Sequence, residues 1–488
     1  MKYKKILLTS ICIFSSSLAG TISYAEEEIL PEHKTAQELE IEVGRELYGP
    51  KQRPEKQHLV HILNATYATN PTLQAARSEL RAVQEQLPQA LSGWLPIIEA
   101  NATIQDTSIR TRPYNSADGS FEKELSVNFT QPLYSGGITS AQTSAARDII
   151  RSQIASLISL EQDILLETVT AYMDIVRDRA ILDLRKNNRD VLAKQYEATN
   201  DRFEVGEVTT TDVEQSKARL AEAKSLIIDA TATLRASEAQ YERLTGMRPT
   251  NTDLPYFNFK IPHSLDEAIL TATKNHPRIY AAIHAQKAAE NDIDGIFGEL
   301  LPQLSLNGSL AKSYDPSPGL YNDERSGVIG ITATIPLYKA GNVRSRVRQA
   351  KHTANQRYLS ILEIKRAITE EAVTAWENLH AATASEDARN AQIKASTIAR
   401  DGVEAENEFG SRTVLDVLDA EQELLNAQVE QVRASRNKIV AQFTLLSIIG
   451  MMTPEGLGFA DTTTDYHQYL EDFKFEIFNM DVDRVGER

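Results

Sequence analysis

Residues 408–428 read EFGSRTVLDVLDAEQELLNAQ and predict the end of one long helix, a tight turn at Gly410 and the start of another helix. Glycine adopts the left-handed backbone of such a turn without a steric penalty. Thr413 is a suitable N-cap for the helix that follows, because its hydroxyl can accept a hydrogen bond from a free backbone N–H. Asp416 and Asp419 are three residues apart, so both carboxylates are expected on one face of this helix. The stretch therefore predicts a helical hairpin with an acidic face just beyond its turn.

A weaker copy of this stretch, FEVGEVTTTDVEQSKARLAEA, occupies residues 203–223. It lies 204 positions earlier, with Gly206 in the place of Gly410 and Asp212 in the place of Asp416. Other short segments recur at shifts of 206 or 204, among them Leu-Pro and Pro-Leu-Tyr. We interpret the chain as an internal duplication, each copy having the order helix, strand, loop, strand, very long helix, tight turn, long helix. The predicted divisions are a signal peptide at 1–25, a polar N-terminal lead-in at 26–57, repeat 1 at 58–247, a connector at 248–263, repeat 2 at 264–452 and an acidic C-terminal tail at 453–488.

The first 25 residues have the features of a secretory signal peptide. Lysines at positions 2, 4 and 5 precede a short apolar segment, and small residues precede the acidic run that begins at Glu26. A membrane anchor is the alternative, but serine and threonine interrupt the apolar run, which is short for a bilayer. Cys12 is the single cysteine, so a mature chain has no disulfide and no thiolate metal site. The net charge of −16 becomes more negative without the leading lysines, which leaves no evident basic surface for nucleic acid.

Four segments alternate apolar and polar residues, as half-buried strands do. Each is expected to run about 9–11 residues, the length that a tilted strand needs to cross a bilayer. Polar loops are expected around 115–119 and 315–322, and Trp94, Tyr134 and Tyr338 are expected at strand–helix junctions as an aromatic girdle. A soluble β-sandwich is disfavoured, because the strands form two hairpins separated by a long helical stretch. The apolar sides of the strands are Ile98, Ala100, Ala102 and Ile104; Leu125, Val127 and Phe129; Leu304, Leu306 and Leu310; and Ile329, Ile331, Ala333 and Ile335.

Two very long helices are predicted, one from about residue 140 to 202 and the other from about 343 to 408. At about 1.5 Å per residue, each would span on the order of 95 Å. One apolar stripe along such a helix is typical of coiled-coil or bundle packing. Four strands cannot close a barrel, and lipid does not tolerate an open strand edge. At least two copies of the chain must therefore share one barrel, and the sequence predicts a membrane β-barrel that continues into a helical tube.

The order of these elements, the PLYSGG-type strand ends and the two turns VGEVTTTDV and FGSRTVLDVLDAEQELLNAQ resemble the TolC family of outer-membrane efflux and type I secretion proteins. The resemblance covers about residues 58–452. It implies an α+β membrane protein: a homotrimer whose protomers each give four strands to one outer-membrane barrel, continued by a long coiled-coil tunnel in the periplasm. It also implies that the turns form the inner end of the tunnel. There they would meet a periplasmic adaptor protein and an inner-membrane RND or ABC transporter.

By the same resemblance, Asp416 and Asp419 form two acidic rings at the narrow mouth of the tunnel. Like charges crowded around a three-fold axis attract cations and raise one another's pKa, so block by multivalent cations is expected there without a resident metal. Arg412 matches the gate arginine of the family and is expected to pair near Thr211 and Asp212 on the neighbouring turn. Without the resemblance, Arg412 as a helix-capping residue and Asp416 as a surface charge are the simpler alternatives.

One position departs from the family pattern. That pattern has a tyrosine three residues before the turn glycine, and this chain has Asn407 there, so the aromatic part of the gate is missing. The adaptor is expected to contact the two turns themselves, and because these differ in sequence a trimer would offer two kinds of docking groove. The turn residues expected at the adaptor are Gly206, Glu207, Val208, Gly410, Ser411 and Thr413.

Two other classes of protein are disfavoured. An envelope enzyme would need a catalytic motif, and the chain has no GxSxG, HExxH, P-loop or dinucleotide fingerprint, so neither catalysis nor a cofactor is expected. A periplasmic adaptor-like protein is the stronger alternative, because adaptors are also rich in coiled-coil hairpins. It would need a β-rich lipoyl-like domain, whereas this chain has bilayer-length strands and an internal duplication. The sequence therefore favours an outer-membrane exit channel for drugs, toxic compounds or unfolded proteins.

Overall fold

The computed structural model describes residues 59–111, 116–250, 261–317 and 321–457, together with Tyr466. The predicted signal peptide, the lead-in, the middle of the connector and most of the tail lie outside these residues. The helices are α1 Leu59–Thr69, α2 Pro71–Gln84, α3 Gln86–Leu91, α4 Ile138–Glu204, α5 Thr210–Thr245, α6 Leu265–Asn275, α7 Pro277–Gly298, α8 Asn342–Glu408, α9 Val414–Ile448 and α10 Pro454–Leu457. The strands are β1 Ile97–Thr111, β2 Ser116–Tyr134, β3 Gln303–Ser317 and β4 Tyr321–Thr334.

The duplication is visible in the lengths of matching elements. The long helices α4 and α8 both have 67 residues, and their bounds agree with the predicted ones within two residues. The strands β1 and β3 both have 15 residues. Each long helix reverses into a shorter one, α5 with 36 residues and α9 with 35 residues. The predicted order of elements is confirmed in both copies, while the division boundaries stay predictions.

The four strands form one antiparallel sheet in the order β1-β2-β3-β4. Directly paired residues lie on the same face of a sheet, and the register pairs Ile98 with Phe129, Val127 with Leu310 and Leu306 with Ile331. The predicted apolar sides are therefore joined into one continuous face. Many of its large side chains are exposed in a single chain, as Ile98 at 67% and Leu310 at 68% illustrate. Such a face needs lipid or another protein to cover it.

The strands are longer than predicted, with 14 to 19 residues instead of about 9–11. Backbone hydrogen bonds do not require apolar side chains, so pairing continues into the polar ends of the hairpins. The predicted loops are correspondingly shorter, because β2 begins at Ser116 and β3 runs to Ser317. Ile335 was assigned to the fourth strand, but β4 ends one residue earlier. Residues 112–115 and 318–320 of these loops lie outside the described part.

The largest buried core lies about midway along the long helices. There the apolar stripe of α4, including Leu165 and Val169, packs with Ile368 of α8 and Phe443 of α9. The short helices α1 and α6 cover the same region, with Leu63 buried in the cluster. The structure thus has the sheet at one end of α4 and α8, a core near their middle and the two turns at the other end. Within the described residues, no helix is both long and apolar enough to cross a membrane.

One residue of the tail is packed into this middle region. The hydroxyl of Tyr466 lies 2.8 Å from both carboxylate oxygens of Glu161 on α4, and the side chain of Gln84 donates to its backbone carbonyl. Arg77 also forms an ion pair with Glu161, at 3.2 Å. Burial is the largest influence on this carboxyl and raises the pKa of Glu161. Tyr466 therefore packs against the same middle region of the long helices.

Candidate functional site

Both turns use a glycine in the left-handed conformation. Gly206 has φ of 80° and Gly410 has φ of 74°, and a Cβ added at either position would meet no atom within 4 Å. The backbone conformation, rather than crowding, therefore requires glycine at both. In each turn the glycine N–H donates to the carbonyl three residues earlier, Phe203 or Asn407, at 2.9 Å. The same local hydrogen bonds thus close both helical hairpins.

The helices that follow the turns both begin with a capping box. The carboxylate of Asp212 accepts a hydrogen bond from the Thr209 backbone at 2.9 Å, and the Thr209 hydroxyl accepts one from the Asp212 backbone. Thr413 and Asp416 repeat this exchange, so Thr413 is the N-cap that the sequence predicted. Two otherwise free N–H groups are satisfied at each helix start.

These hydrogen bonds affect the acidity of both carboxyl groups. The hydroxyl and then the backbone N–H of Thr209 lower the pKa of Asp212. The backbone N–H and then the hydroxyl of Thr413 lower the pKa of Asp416. The sequence predicts the opposite effect, a pKa of Asp416 raised by the like charges of other protomers. Such crowding would have to outweigh the hydrogen bonds of the cap, which lower the pKa.

Arg412 is held within its own turn. Its Nε donates to Glu406 at 2.8 Å, and this hydrogen bond raises the pKa of Arg412. The side chain of Asn407 donates to the backbone carbonyl of Arg412, also at 2.8 Å. Within the described residues of one chain, the structure brings Arg412 to Glu406 rather than to Thr211 and Asp212. The predicted pairing of Arg412 with a neighbouring turn therefore stays a prediction.

The residues expected at an adaptor lie where the sequence placed them, on the outer surface of the two turns. Glu207 pairs with Arg202 at 3.2 Å, and the hydroxyl of Ser411 donates to the carbonyl of Glu406 at 2.8 Å. Side-chain contacts therefore tie each turn to the end of the helix that precedes it. The exposed turn residues are Gly206, Glu207, Gly410, Ser411 and Thr413, with Val208 half-buried.

Asp419 has a partner that the sequence did not predict. Nη2 of Arg219, on α5, donates to Oδ1 of Asp419, on α9, at 2.8 Å. The two residues are 200 positions apart and belong to different repeats. The duplication held one clue: Gln215 occupies the place that matches Asp419, and Glu423 the place that matches Arg219. An ion pair therefore forms between Arg219 of repeat 1 and Asp419 of repeat 2. The matching positions, Gln215 of repeat 1 and Glu423 of repeat 2, have no opposite charges and cannot form one.

A small apolar cluster lies beside this ion pair. Leu192 of α4 and Ala223 of α5 pack with Val414 and Leu418 of α9, and all four are buried. Leu220 packs against the cluster from α5. This cluster, called the mouth cluster below, is separate from the main core and joins the first hairpin to the start of α9. No group of three or more metal-ligating side chains occurs among the described residues.

A family model described as outer membrane efflux protein matches residues 62–247 and 268–451, which together are most of the chain. The chain belongs to the outer membrane efflux protein family. The outer membrane efflux protein BepC of Brucella suis is 30% identical over 401 residues, covering 82% of this chain and 87% of BepC. The outer membrane protein TolC of Escherichia coli is 24% identical over 439 residues, covering 86% of this chain and 87% of TolC. Further relatives of the chain are named for protease secretion.

The fold of this outer membrane efflux protein is that of solved channels. The CmeC outer membrane channel of Campylobacter jejuni superposes with a TM-score of 0.73 at 16% identity, covering 88% of this chain and 95% of the CmeC chain. The predicted fold of the chain is thereby confirmed: a four-stranded antiparallel sheet is joined to long helical hairpins, as in solved outer membrane channels. The location is the outer membrane, with the helical part in the periplasm. This membership disfavours the adaptor-like alternative.

Proposed function

We propose that this chain forms a homotrimeric exit channel through which drugs, toxic compounds or unfolded proteins leave the cell. A tripartite efflux pump or a type I secretion system would supply the cargo. One observation carries this proposal: a sheet with an exposed apolar face and two closed helical turns lie at opposite ends of the same 67-residue helices. A chain with this arrangement can connect the outer membrane to a partner far inside the periplasm. It acts by conducting and has no catalytic role.

The edges of the sheet support the trimer. Among the described strands, β1 and β4 each pair on one side only, so each presents an unpaired edge. Lipid does not hydrogen-bond to backbone groups, and an unpaired edge there is unfavourable. Neighbouring copies that pair β4 with β1 would satisfy both edges at once. Purified protein is expected to migrate as a heat-sensitive trimer on a denaturing gel, and a monodisperse single subunit without detergent would contradict the proposal.

The turns support a gated inner end. Asp416 and Asp419 would form acidic rings that attract cations, and Arg412 would hold the closed mouth by pairing near Thr211 and Asp212 of a neighbouring turn. Such pairs give two discrete arrangements, closed and open, that a docked adaptor can shift. In one chain Asp416 and Asp212 are the N3 residues of the capping boxes, and each accepts the N-cap hydrogen bond at Oδ2. A carboxylate used in this way can still accept further hydrogen bonds. The cap and the gate are therefore compatible.

The partners follow from this arrangement. A periplasmic adaptor would dock on the turn residues 206–208 and 410–413, and an RND or ABC transporter in the inner membrane would choose the cargo. BepC is named for efflux, and other relatives are named for protease secretion. Both proposed routes, efflux and protein secretion, are therefore represented among the relatives.

Single-channel recording of the purified trimer tests the proposal. We expect a conductance that multivalent cations block from the turn side, and a deletion strain with altered drug sensitivity or a reduced secretome. Protein that inserts as a trimer but shows no cation-sensitive conductance would overturn the gate. A deletion that changes neither drug sensitivity nor the secretome would overturn the export role.

A further inference from the structure

We propose that Arg219 and Asp419 form a clasp between the two repeats, which masks the second acidic ring while the mouth is closed and exposes it when the mouth opens. The proposal rests on the gate described above and adds a residue to it. Arg219 was not among the residues expected at the mouth. Its role follows from its contact with Asp419 and from its place beside the mouth cluster.

The clasp joins two elements that otherwise touch little. Arg219 precedes Leu220 on α5, and Asp419 follows Leu418 on α9, so the ion pair continues the apolar contact of the mouth cluster. Among residues 210–245 and 414–448, this is the ion pair that connects α5 to α9. Because α5 belongs to the first hairpin and α9 to the second, any motion that separates the hairpins at the mouth must break it.

The two acidic residues on this face of α9 are held in different ways. Asp416 is hydrogen-bonded by Thr413, whose groups are uncharged, so its negative charge is not neutralised by the cap. Asp419 faces a guanidinium at 2.8 Å, which offsets its charge. A cation at the closed mouth would therefore meet one acidic ring rather than two. Opening the clasp would add the second ring.

A second contact on its own helix, α5, orients the side chain of Arg219 towards Asp419. Its Nη1 lies 3.3 Å from the carboxylate of Glu222, three residues along α5, while Nη2 reaches Asp419. The contact with Glu222 keeps the guanidinium in place when Asp419 leaves. The side chains of Arg219 and Asp419 are 32% and 58% exposed, and ion pairs this exposed are weak and screened by salt. A weak pair suits a contact that must open during transport.

The test measures the open fraction and the half-blocking concentration of La³⁺ for the purified trimer in planar bilayers. We expect Arg219→Gln to raise the open-to-closed ratio by a factor of up to about five for each of the three pairs broken, the contribution of one exposed ion pair. We also expect it to lower the half-blocking concentration, because Asp419 is then unmasked. Asp419→Asn removes the same pair from the other side, so it should raise the open fraction without strengthening block.

Two further variants complete the design. The exchange Arg219→Asp with Asp419→Arg restores an ion pair, so the open fraction should return to that of the unmodified channel while block stays no stronger than in Asp419→Asn. Arg243→Gln is the matched control, since Arg243 also lies on α5 and forms an exposed pair with Glu167 at 2.7 Å, away from the mouth. It should change neither quantity. Migration as a trimer confirms folding of each variant.

The outcomes separate this inference from the gate itself. If Arg219→Gln matches Arg243→Gln in both quantities while Asp416→Asn weakens block, the clasp is wrong and the gate stands. If Asp416→Asn also leaves block unchanged, both are wrong. An exchanged pair that leaves the open fraction as high as in Arg219→Gln would also overturn the clasp, because a restored ion pair must restore closure.

Discussion

The first turn, residues 205–209, and the second turn, residues 409–413, have the same backbone and opposite arrangements of charge. Arg202 precedes the first turn and pairs with Glu207 inside it, with 3.2 Å between Nε and Oε2. Glu406 precedes the second turn and pairs with Arg412 inside it, with 2.8 Å between Oε2 and Nε. The glycines and capping boxes set the reversal of the chain, and they are alike in both. The charges can therefore differ between the turns without changing the reversal, and the gate proposed above assigns the two turns different roles.

The largest expected difference between the turns is in cation block. Asp212→Ala and Asp416→Ala each remove the carboxylate of one capping box, so the local loss of helix stability should be similar. Of these two residues only Asp416 is placed in an acidic ring, so we expect Asp416→Ala to weaken block by La³⁺ about tenfold, the scale of losing a close opposite charge. Asp212→Ala should change block little. Planar-bilayer titration checks this, and equal effects would show that the turns are equivalent.

The second expected difference concerns closure. Arg412→Gln should raise the open-to-closed ratio by a factor of up to about five for each protomer, because one exposed ion pair contributes no more than this to an equilibrium. Arg202→Gln is the matched variant, as it removes the corresponding pair of the first turn. It should leave the open fraction unchanged in single-channel recordings, since the proposed gate arginine is Arg412 of the second turn and Arg202 has no assigned part in closure. A rise with Arg202→Gln alone would reverse the assignment.

Local rules explain why so much of this region was predictable. Gly410 and Thr413 predict a turn and a cap through their own backbone preferences. The lengths of α4 and α8 follow from the absence of proline, with Gly402 of α8 the single glycine inside either helix. The alternation of apolar residues such as Ile98 likewise predicted which side of each strand is apolar. Each of these properties depends on residues close together in the chain.

The rest depends on how distant elements pack. The pair of Arg219 and Asp419 exists because α5 and α9 meet at the mouth, which no spacing within either helix reveals. The same holds for Tyr466, whose partner Glu161 lies 305 positions away. The strand lengths were underestimated because pairing partners extend a strand beyond its apolar part. The predicted role of Arg412 depends on residues of a neighbouring protomer. Such contacts are set by the assembly and not by the local sequence.

A third comparison should show no difference between the turns. Gly206→Ala and Gly410→Ala each place a Cβ on a left-handed backbone, with open space around it. The penalty is therefore the conformational one, about 1 kcal/mol, at both positions. Chemical denaturation of the purified trimer, or local hydrogen exchange at each turn, measures it. A much larger loss at one glycine would show that its turn is packed against something in the assembly.

The smallest expected effect is a shared dependence on pH. The pKa values of Asp212 and Asp416 are lowered in the folded chain, so the stabilisation that their caps provide is present above the ordinary aspartate pKa of about 3.9. It is lost as the pH falls through the lower folded pKa. Hydrogen exchange of residues 203–223 and 408–428, corrected for the intrinsic rate, should therefore become faster below about pH 4 in both turns.

Cap variants sharpen this last comparison. Thr209→Ala and Thr413→Ala remove the hydroxyl that completes each box, with an expected cost of about 1 kcal/mol per helix start. Each should speed exchange at neutral pH and reduce the further change on acidification in its own turn, while the other turn keeps its full response. In an assembled trimer, crowding of Asp416 by its copies would shift the onset in the second turn to higher pH. A higher onset at 408–428 than at 203–223 would therefore report the acidic ring directly, whereas equal onsets would place Asp416 too far from its copies to interact.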